Sequence, residues 1–192
     1  MSSPAGQHVL ITGGTGSFGR SFTEYLLGLS EPPAQITIFS RDEQKQHEMA
    51  LDLPRKHFPI RYRLGDVRDL ERLTEISTDV DVVVHAAAMK HVPAAEANPI
   101  ECARTNILGS HNVVLAAKRN GIAKVVALST DKAALPANAY GASKLLLERM
   151  FLQADLEGST RFSVVRYANV FGSKRSVVPL FLRKRDSGVL PI

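Results

Sequence analysis

The stretch His8-Val9-Leu10-Ile11-Thr12-Gly13-Gly14-Thr15-Gly16-Ser17-Phe18-Gly19 decides the fold. It opens with an apolar run of strand length, continues into a glycine turn and is followed by an amphipathic run over 20–29. Gly13, Gly16 and Gly19 are spaced Gly-x-x-Gly-x-x-Gly, so a tight turn brings backbone N–H groups and a helix N-terminus up to a pyrophosphate. A glycine pattern alone is weak evidence, but one set between a strand and a helix is specific.

Working outward, a second strand over 35–39 ends in Ser40-Arg41-Asp42-Glu43-Gln44-Lys45. Dinucleotide sites carry Asp or Glu about 20 residues after the glycines to hold a ribose 2′-hydroxyl, and Arg to take a 2′-phosphate. Ser40 and Arg41, with Lys45 one helical turn on, favour NADP over NAD. Asp42 and Glu43 suit the start of a helix, whose dipole they complement. A third strand over 60–64 leads into Gly65-Asp66-Val67, which presents Asp66 to an adenine amino group. A helix near 69–77 precedes a fourth strand over 80–85, and the small residues Ala86, Ala87 and Ala88 let a cofactor pass close to the backbone. Residues 90–93 read as a loop, and 99–120 as one long helix stopped by Gly121. Asn106 within it is either a buried polar group with backbone partners or a surface residue. A fifth strand over 124–129, a helix from Tyr140 to about Leu156 and a sixth strand over 161–167 complete the alternation. The fold class expected is α/β: a Rossmann-like doubly wound parallel sheet with helices on both faces, residues 1–192 forming one dinucleotide-binding domain.

Chemistry is concentrated between Ser129-Thr130-Asp131-Lys132 and Tyr140-Gly141-Ala142-Ser143-Lys144. If Tyr140 opens a helix, Lys144 lies one turn along the same face and lowers the phenol pKa through its charge. Asp131 and Lys132 sit at the carboxyl end of a strand, the edge where open α/β sheets bind ligands, and read as an acid and a base. A capped helix start with a solvated lysine is the bland alternative, and the glycine turn upstream is what outweighs it.

Composition narrows the partners. With 192 residues, 44% hydrophobic and 22% charged, the chain suits one globular domain. No apolar run approaches the roughly 18 residues of a membrane span, and residues 1–7 are too short and polar for a signal peptide, so a cytoplasmic protein with no membrane partner is expected. Cys102 is the single cysteine and the six His show no ligand spacing, so neither a disulfide nor a metal is expected. A net charge of +5 favours anionic partners. The basic residues are dispersed apart from Arg183-Lys184-Arg185 and lack interleaved aromatics, which argues against nucleic acid.

Six blocks in register carry a resemblance over residues 8–182. They are Thr12-Gly13-Gly14-Thr15-Gly16-Ser17-Phe18-Gly19, Ser40-Arg41-Asp42-Glu43, Gly65-Asp66-Val67-Arg68-Asp69, His85-Ala86-Ala87-Ala88-Met89-Lys90-His91-Val92-Pro93, Ser129-Thr130-Asp131-Lys132-Ala133-Ala134 and Ser163-Val164-Val165-Arg166-Tyr167. The chain resembles the extended short-chain dehydrogenases/reductases and, within them, the inverting UDP-N-acetylglucosamine 4,6-dehydratases of pseudaminic acid and related surface-sugar pathways. Such enzymes oxidise C4 of the sugar, lose water across C5–C6 and return the hydride to C6, with inversion at C5.

The resemblance implies that Tyr140, assisted by Lys144, takes the C4 hydroxyl proton, that Thr130 holds that hydroxyl, that Asp131 protonates the leaving oxygen and that Lys132 handles the C5 proton. It implies that Thr15, Gly16, Ser17 and Phe18 touch the cofactor phosphates, Ser40, Arg41 and Lys45 the 2′-phosphate, Asp66 and Val67 the adenine, and Ala86 and Lys90 the nicotinamide ribose. Asn169 approaches the substrate, Val170 the nicotinamide, and Lys174, Arg175, Ser176 and Val177 the UDP. Arg175 departs from the family's usual glycine. Relatives continue well past the position of Ile192, so the resemblance implies a truncated substrate region from about residue 173, with most of the C-terminal substrate domain absent. A homo-oligomer is expected, since relatives pair through the helices that start near Pro99 and Tyr140, the latter carrying Leu145, Leu146, Leu147, Met150 and Phe151 around more than one face. Two alternatives stay open: a UDP-sugar C5 epimerase/dehydratase of capsule or O-antigen synthesis, and a non-catalytic dinucleotide-binding fragment.

Overall fold

A computed structural model describes residues 4–53 and 59–170. Strands β1 (His8–Thr12), β2 (Gln35–Ser40), β3 (Ile60–Leu64), β4 (Val82–His85), β5 (Lys124–Leu128) and β6 (Arg161–Val165) form one parallel sheet in the order β3-β2-β1-β4-β5-β6. Side chains alternate along a strand, and in β1 this sends Leu10 to one face and Val9 and Ile11 to the other. Both faces are dry. Leu10 packs with Val83, Val125, Leu73, Val113, Leu147 and Phe151, and Val9 and Ile11 pack with Ile36, Ile38, Leu26 and Met49. Helices α1 (Ser17–Leu27) and α2 (Glu43–Asp52) cover the second face. Helices α3 (Leu70–Ile76), α6 (Gly109–Arg119) and α7 (Ala139–Leu156) cover the first. The sheet is therefore doubly wound, as the alternation of apolar runs implied.

Two features depart from the sequence reading. Residues 90–93 do not stay a loop, because Val92 and Pro93 open a short helix, α4 (Val92–Ala97), with proline in its first turn. The long helix forms without a break over 99–119 but is not α throughout: α5 (Pro99–Ala103) passes through a π-turn (Arg104–Leu108) into α6. The turn points buried Asn106 across the chain, where its Oδ1 accepts the Met89 N–H at 2.8 Å and its Nδ2 donates to the Met89 carbonyl at 3.0 Å. Of the two readings left open for Asn106, the buried one with backbone partners is realised.

The strand order reverses between β1 and β4, and open α/β sheets bind ligands in the crevice above such a switch. Among the described residues, no helix is long and apolar enough to cross a membrane.

Candidate active site

Above the switch lies a cleft of about 540 Å³. Its floor is the glycine turn after β1 and the alanines after β4. Gly13 has φ +66°, and a Cβ there would sit 2.7 Å from the Ala87 backbone; at Gly19 it would sit 2.3 Å from the Gly14 carbonyl oxygen. Both positions need glycine for the turn to close and for α1 to seat on it. Gly16 caps α1 without a side-chain hydrogen bond, and no acidic residue occupies the first turn. The first N–H groups of that helix therefore face the cleft with no protein anion on them, which suits a pyrophosphate.

The cleft brings together every residue expected at a cofactor from the first four strands: Gly13, Thr15, Gly16, Ser17, Phe18 and Gly19 at the turn, Ser40, Arg41 and Lys45 after β2, Asp66 and Val67 after β3, and Ala86 and Lys90 after β4. Asp42 caps α2, accepting the Lys45 N–H at 3.0 Å and pairing with the Lys45 ammonium, so it serves the helix start as expected. Arg41 reaches Asp66 at 3.4 Å, and Arg68 pairs with the same carboxylate at 2.6 Å. Burial pushes the Asp66 pKa up, but the Arg68 hydrogen bonds and the charges of both arginines leave it lowered overall. Arg68 is shared with Glu101 at 2.9 Å and does not line the cleft, which leaves Arg41 as the guanidinium on the lining at this end. Thr105, Leu128 and Tyr167 also line the cleft and were not foreseen. Thr105 needed the π-turn and Tyr167 needed the β5–β6 register, neither of which a local pattern reveals.

The proton-transfer residues form a second group at the ends of β5 and β6, next to the cleft but not part of its lining. Asp131–Ala133 is a 3₁₀ turn capped by buried Thr130. The Thr130 hydroxyl donates to Asp131 Oδ1 at 2.9 Å, and the Lys132 ammonium donates to the same oxygen at 3.2 Å and to Asn169 Oδ1 at 3.1 Å. Backbone bonds bind this turn to the chain after β6, Ser129 N–H to Val165 O at 2.8 Å and Asp131 N–H to Tyr167 O at 3.1 Å. Thr130, Asp131, Lys132 and Asn169 are thus one cluster. Val170 is exposed and lies outside the cleft lining; Lys174, Arg175, Ser176 and Val177 lie outside the described residues.

Tyr140 and Lys144 are both buried on α7, one turn apart. The N-terminus of that helix is tied down twice, by Asn138 Oδ1 accepting the Gly141 N–H at 2.8 Å and by Glu96 Oε1 accepting the Ala139 N–H at 2.6 Å. One expectation is corrected here. The Tyr140 phenol is not lowered but pushed up to about 12, by burial first and by neighbouring Tyr167 second, with the Thr130 hydroxyl acting in the opposite direction. Burial also holds Lys144 down, to about 8. Asp131 is likewise held below the usual carboxylate range, by the Thr130 hydroxyl first and Lys132 second. It is therefore a carboxylate in this arrangement and not poised as an acid.

Comparison with known proteins follows the same lines. The chain is 53% identical to a UDP-N-acetylglucosamine 4,6-dehydratase (inverting) of Campylobacter jejuni, covering 97% of this chain and 57% of that protein. It is 45% identical to a UDP-glucose 4-epimerase of Rickettsia bellii, covering 92% of this chain and 52% of that protein. Among solved structures, Pen from Bacillus thuringiensis superposes with a TM-score of 0.90 at 40% identity, over 95% of this chain and 56% of that one. The chain spans about half the length of the curated relatives it matches. The family described as polysaccharide biosynthesis protein matches residues 9–192, and it is to this family that the chain belongs.

Proposed function

We propose that the protein is an NADP-dependent nucleotide-sugar 4,6-dehydratase acting on UDP-N-acetylglucosamine, with inversion at C5, in cytoplasmic synthesis of a surface sugar. The observation that carries this reading is the Asp131–Lys132 pair at the end of β5, beside buried Tyr140 and Lys144 and next to the cleft above the strand-order switch. Arg41, on the cleft lining after β2, supports NADP over NAD.

A bound nicotinamide supplies a reversible hydride acceptor. The chain's own residues move protons: Thr130 holds the C4 hydroxyl; Tyr140 removes its proton once the positive charges of Lys144 and a bound nicotinamide draw the phenol into its ionised form; Lys132 removes the proton at C5; and Asp131 protonates the C6 oxygen, which leaves as water. With a nicotinamide bound, the hydride taken from C4 would be returned to C6 while a proton is delivered to C5 on the face opposite the one it left, so the sequence is redox-neutral and its net change is the loss of one water. Asp131 can hold a proton only once the sugar hydroxyls and a closed pocket part it from Lys132 and remove both from water, since burial disfavours each charged form.

A second reading, epimerisation at C4, is favoured by the 45% identity to the Rickettsia protein of that name. It needs the phenol and the hydride acceptor but leaves the Asp131–Lys132 pair without work. Incubation with NADP⁺ and UDP-N-acetylglucosamine, followed by proton NMR, separates the two. Dehydration gives a C6 methyl doublet, a C4 ketone and an inverted C5 centre. Epimerisation gives a C4 epimer that still has its C6 hydroxyl, and that product would replace the dehydratase reading.

A further inference from the structure

Glu148 is a buried carboxylate two turns after Tyr140 and one turn after Lys144 on α7, and the chemistry above gives it no task. It accepts the Ser129 hydroxyl at 2.5 Å, and both its oxygens accept from Arg166, Oε1 from Nε at 2.8 Å and Oε2 from Nη2 at 2.5 Å. Ser129 immediately precedes Thr130-Asp131-Lys132, and Arg166 immediately precedes the segment carrying Tyr167 and Asn169. A single carboxylate on α7 thus grips both strand ends whose tips meet in the Lys132–Asn169 hydrogen bond. We propose that Glu148 is a positioning residue: held by Ser129 and Arg166, it fixes the Asp131–Lys132 turn and the Asn169 segment relative to Tyr140, and presents its negative charge to the Lys144 ammonium.

Geometry gives the clamp its force. A bidentate guanidinium–carboxylate pair fixes orientation as well as distance, so the two loops cannot slide independently of α7. Reaching both strand ends from the helix that carries Tyr140 makes the acid–base pair and the phenol one rigid body, as proton transfer between positioned groups requires. Lys144 faces Glu148 on its own helix, Cys102 on α5 and His85 on β4; Glu148 first and Cys102 second favour the protonated amine against the cost of burial.

The assignment rests on the dehydratase reading, but its test has a part that does not. Lysine labelled at Cε reports the Lys144 titration directly by NMR. Glu148→Gln keeps the shape and removes the charge, so the Lys144 midpoint falls; Arg166→Gln frees the Glu148 charge from its counter-ion, so the midpoint rises. A purely structural role gives no such opposite pair of shifts. In turnover, Glu148→Gln lowers kcat about 100-fold, the scale of a roughly 1 Å misplacement, with dinucleotide affinity within about threefold of the unaltered chain. Ser129→Ala, which removes one hydroxyl and leaves the ion pair, gives a smaller loss of the same kind and guards against a folding defect in the first variant. Unchanged or same-signed Lys144 midpoints in the two charge variants, or parallel loss of kcat and dinucleotide affinity, would overturn the proposal. If the unaltered chain yields no dehydrated sugar, the functional reading fails, and the signs of the two midpoint shifts still decide whether Glu148 governs Lys144.

Discussion

Lys132 is where the division of labour in this site is most exposed to test, because its ammonium touches Asp131 and Asn169 and does not line the cleft. Lys132→Ala is expected to abolish dehydration while weakening NADP binding by no more than about tenfold, about 1.4 kcal/mol, measured by kinetics and by titration calorimetry. Equal loss of both would contradict the separation of the two groups. Arg41 lies on the cofactor side, and Arg41→Ala is expected to narrow the preference for NADP over NAD, read as the ratio of the two dissociation constants. Lys144 has a stability signature as well. Its pKa in the folded chain, about 8, is depressed from 10.5, so between those values the unfolded chain binds more protons and stability rises with pH. Below about pH 8 the full cost of burying the charge is present, on the order of 3 kcal/mol. Urea unfolding from pH 8 to 10 is expected to show this rise in the unaltered chain and to lose it in Lys144→Met.

At the scale of elements, a buried chain of hydrogen bonds ties β1, β4 and the π-turn together. Thr12 Oγ1 accepts the Ala87 N–H at 3.3 Å and lies 2.7 Å from His85 Nδ1, while His85 Nε2 lies 3.0 Å from Ser110 Oγ, whose hydroxyl donates to the Asn106 carbonyl at 2.5 Å. With the Ser110 proton spent on Asn106, Nε2–H must donate to Ser110, and Nδ1 accepts the Thr12 hydroxyl. His85 is thus neutral, and burial holds its pKa down to about 3, with the Lys144 charge adding to the effect. A depressed histidine makes the unfolded chain the better proton binder below about pH 6.5, so stability falls as pH falls from there toward 3. His8, lowered chiefly by burial, acts in the same direction. Between pH 6.5 and 5, above the ordinary carboxylate range, His85→Gln is expected to flatten most of the loss in urea midpoint.

Elements also differed in how well the sequence announced them. The strands and the glycine turn were legible because apolar runs and glycine spacing are local signals. Asp42 as a cap was legible for the same reason. The π-turn was not, since nothing in Arg104-Thr105-Asn106-Ile107-Leu108 marks an inserted residue, and the bonds that accompany it, from Asn106 to the Met89 backbone, are tertiary. The Glu148 clamp was hidden in the same way, its three members lying far apart in the chain. Tyr140 was found by its spacing to Lys144, but the sign of its shift was missed, because spacing reports the neighbouring charge and not the depth of burial.

On the scale of the whole molecule, α5, the π-turn and α7 leave large apolar side chains in water. Leu147 and Phe151 are fully buried, yet Ile100, Leu108, Leu146, Leu152 and Leu156 are exposed. A second copy of the chain covering these helices would bury them, and light scattering is expected to give at least a dimer, with Leu146→Glu combined with Leu152→Glu shifting the mass toward the monomer. In the proposed reaction one site oxidises C4, removes water and hands the same hydrogen to C6, through Tyr140 on one side and the Asp131–Lys132 pair on the other. UDP-N-acetylglucosamine deuterated at C4 tests it most directly. The expected result is deuterium in the C6 methyl group of a dehydrated product; deuterium found still at C4, in a sugar that has kept its C6 oxygen, would contradict it.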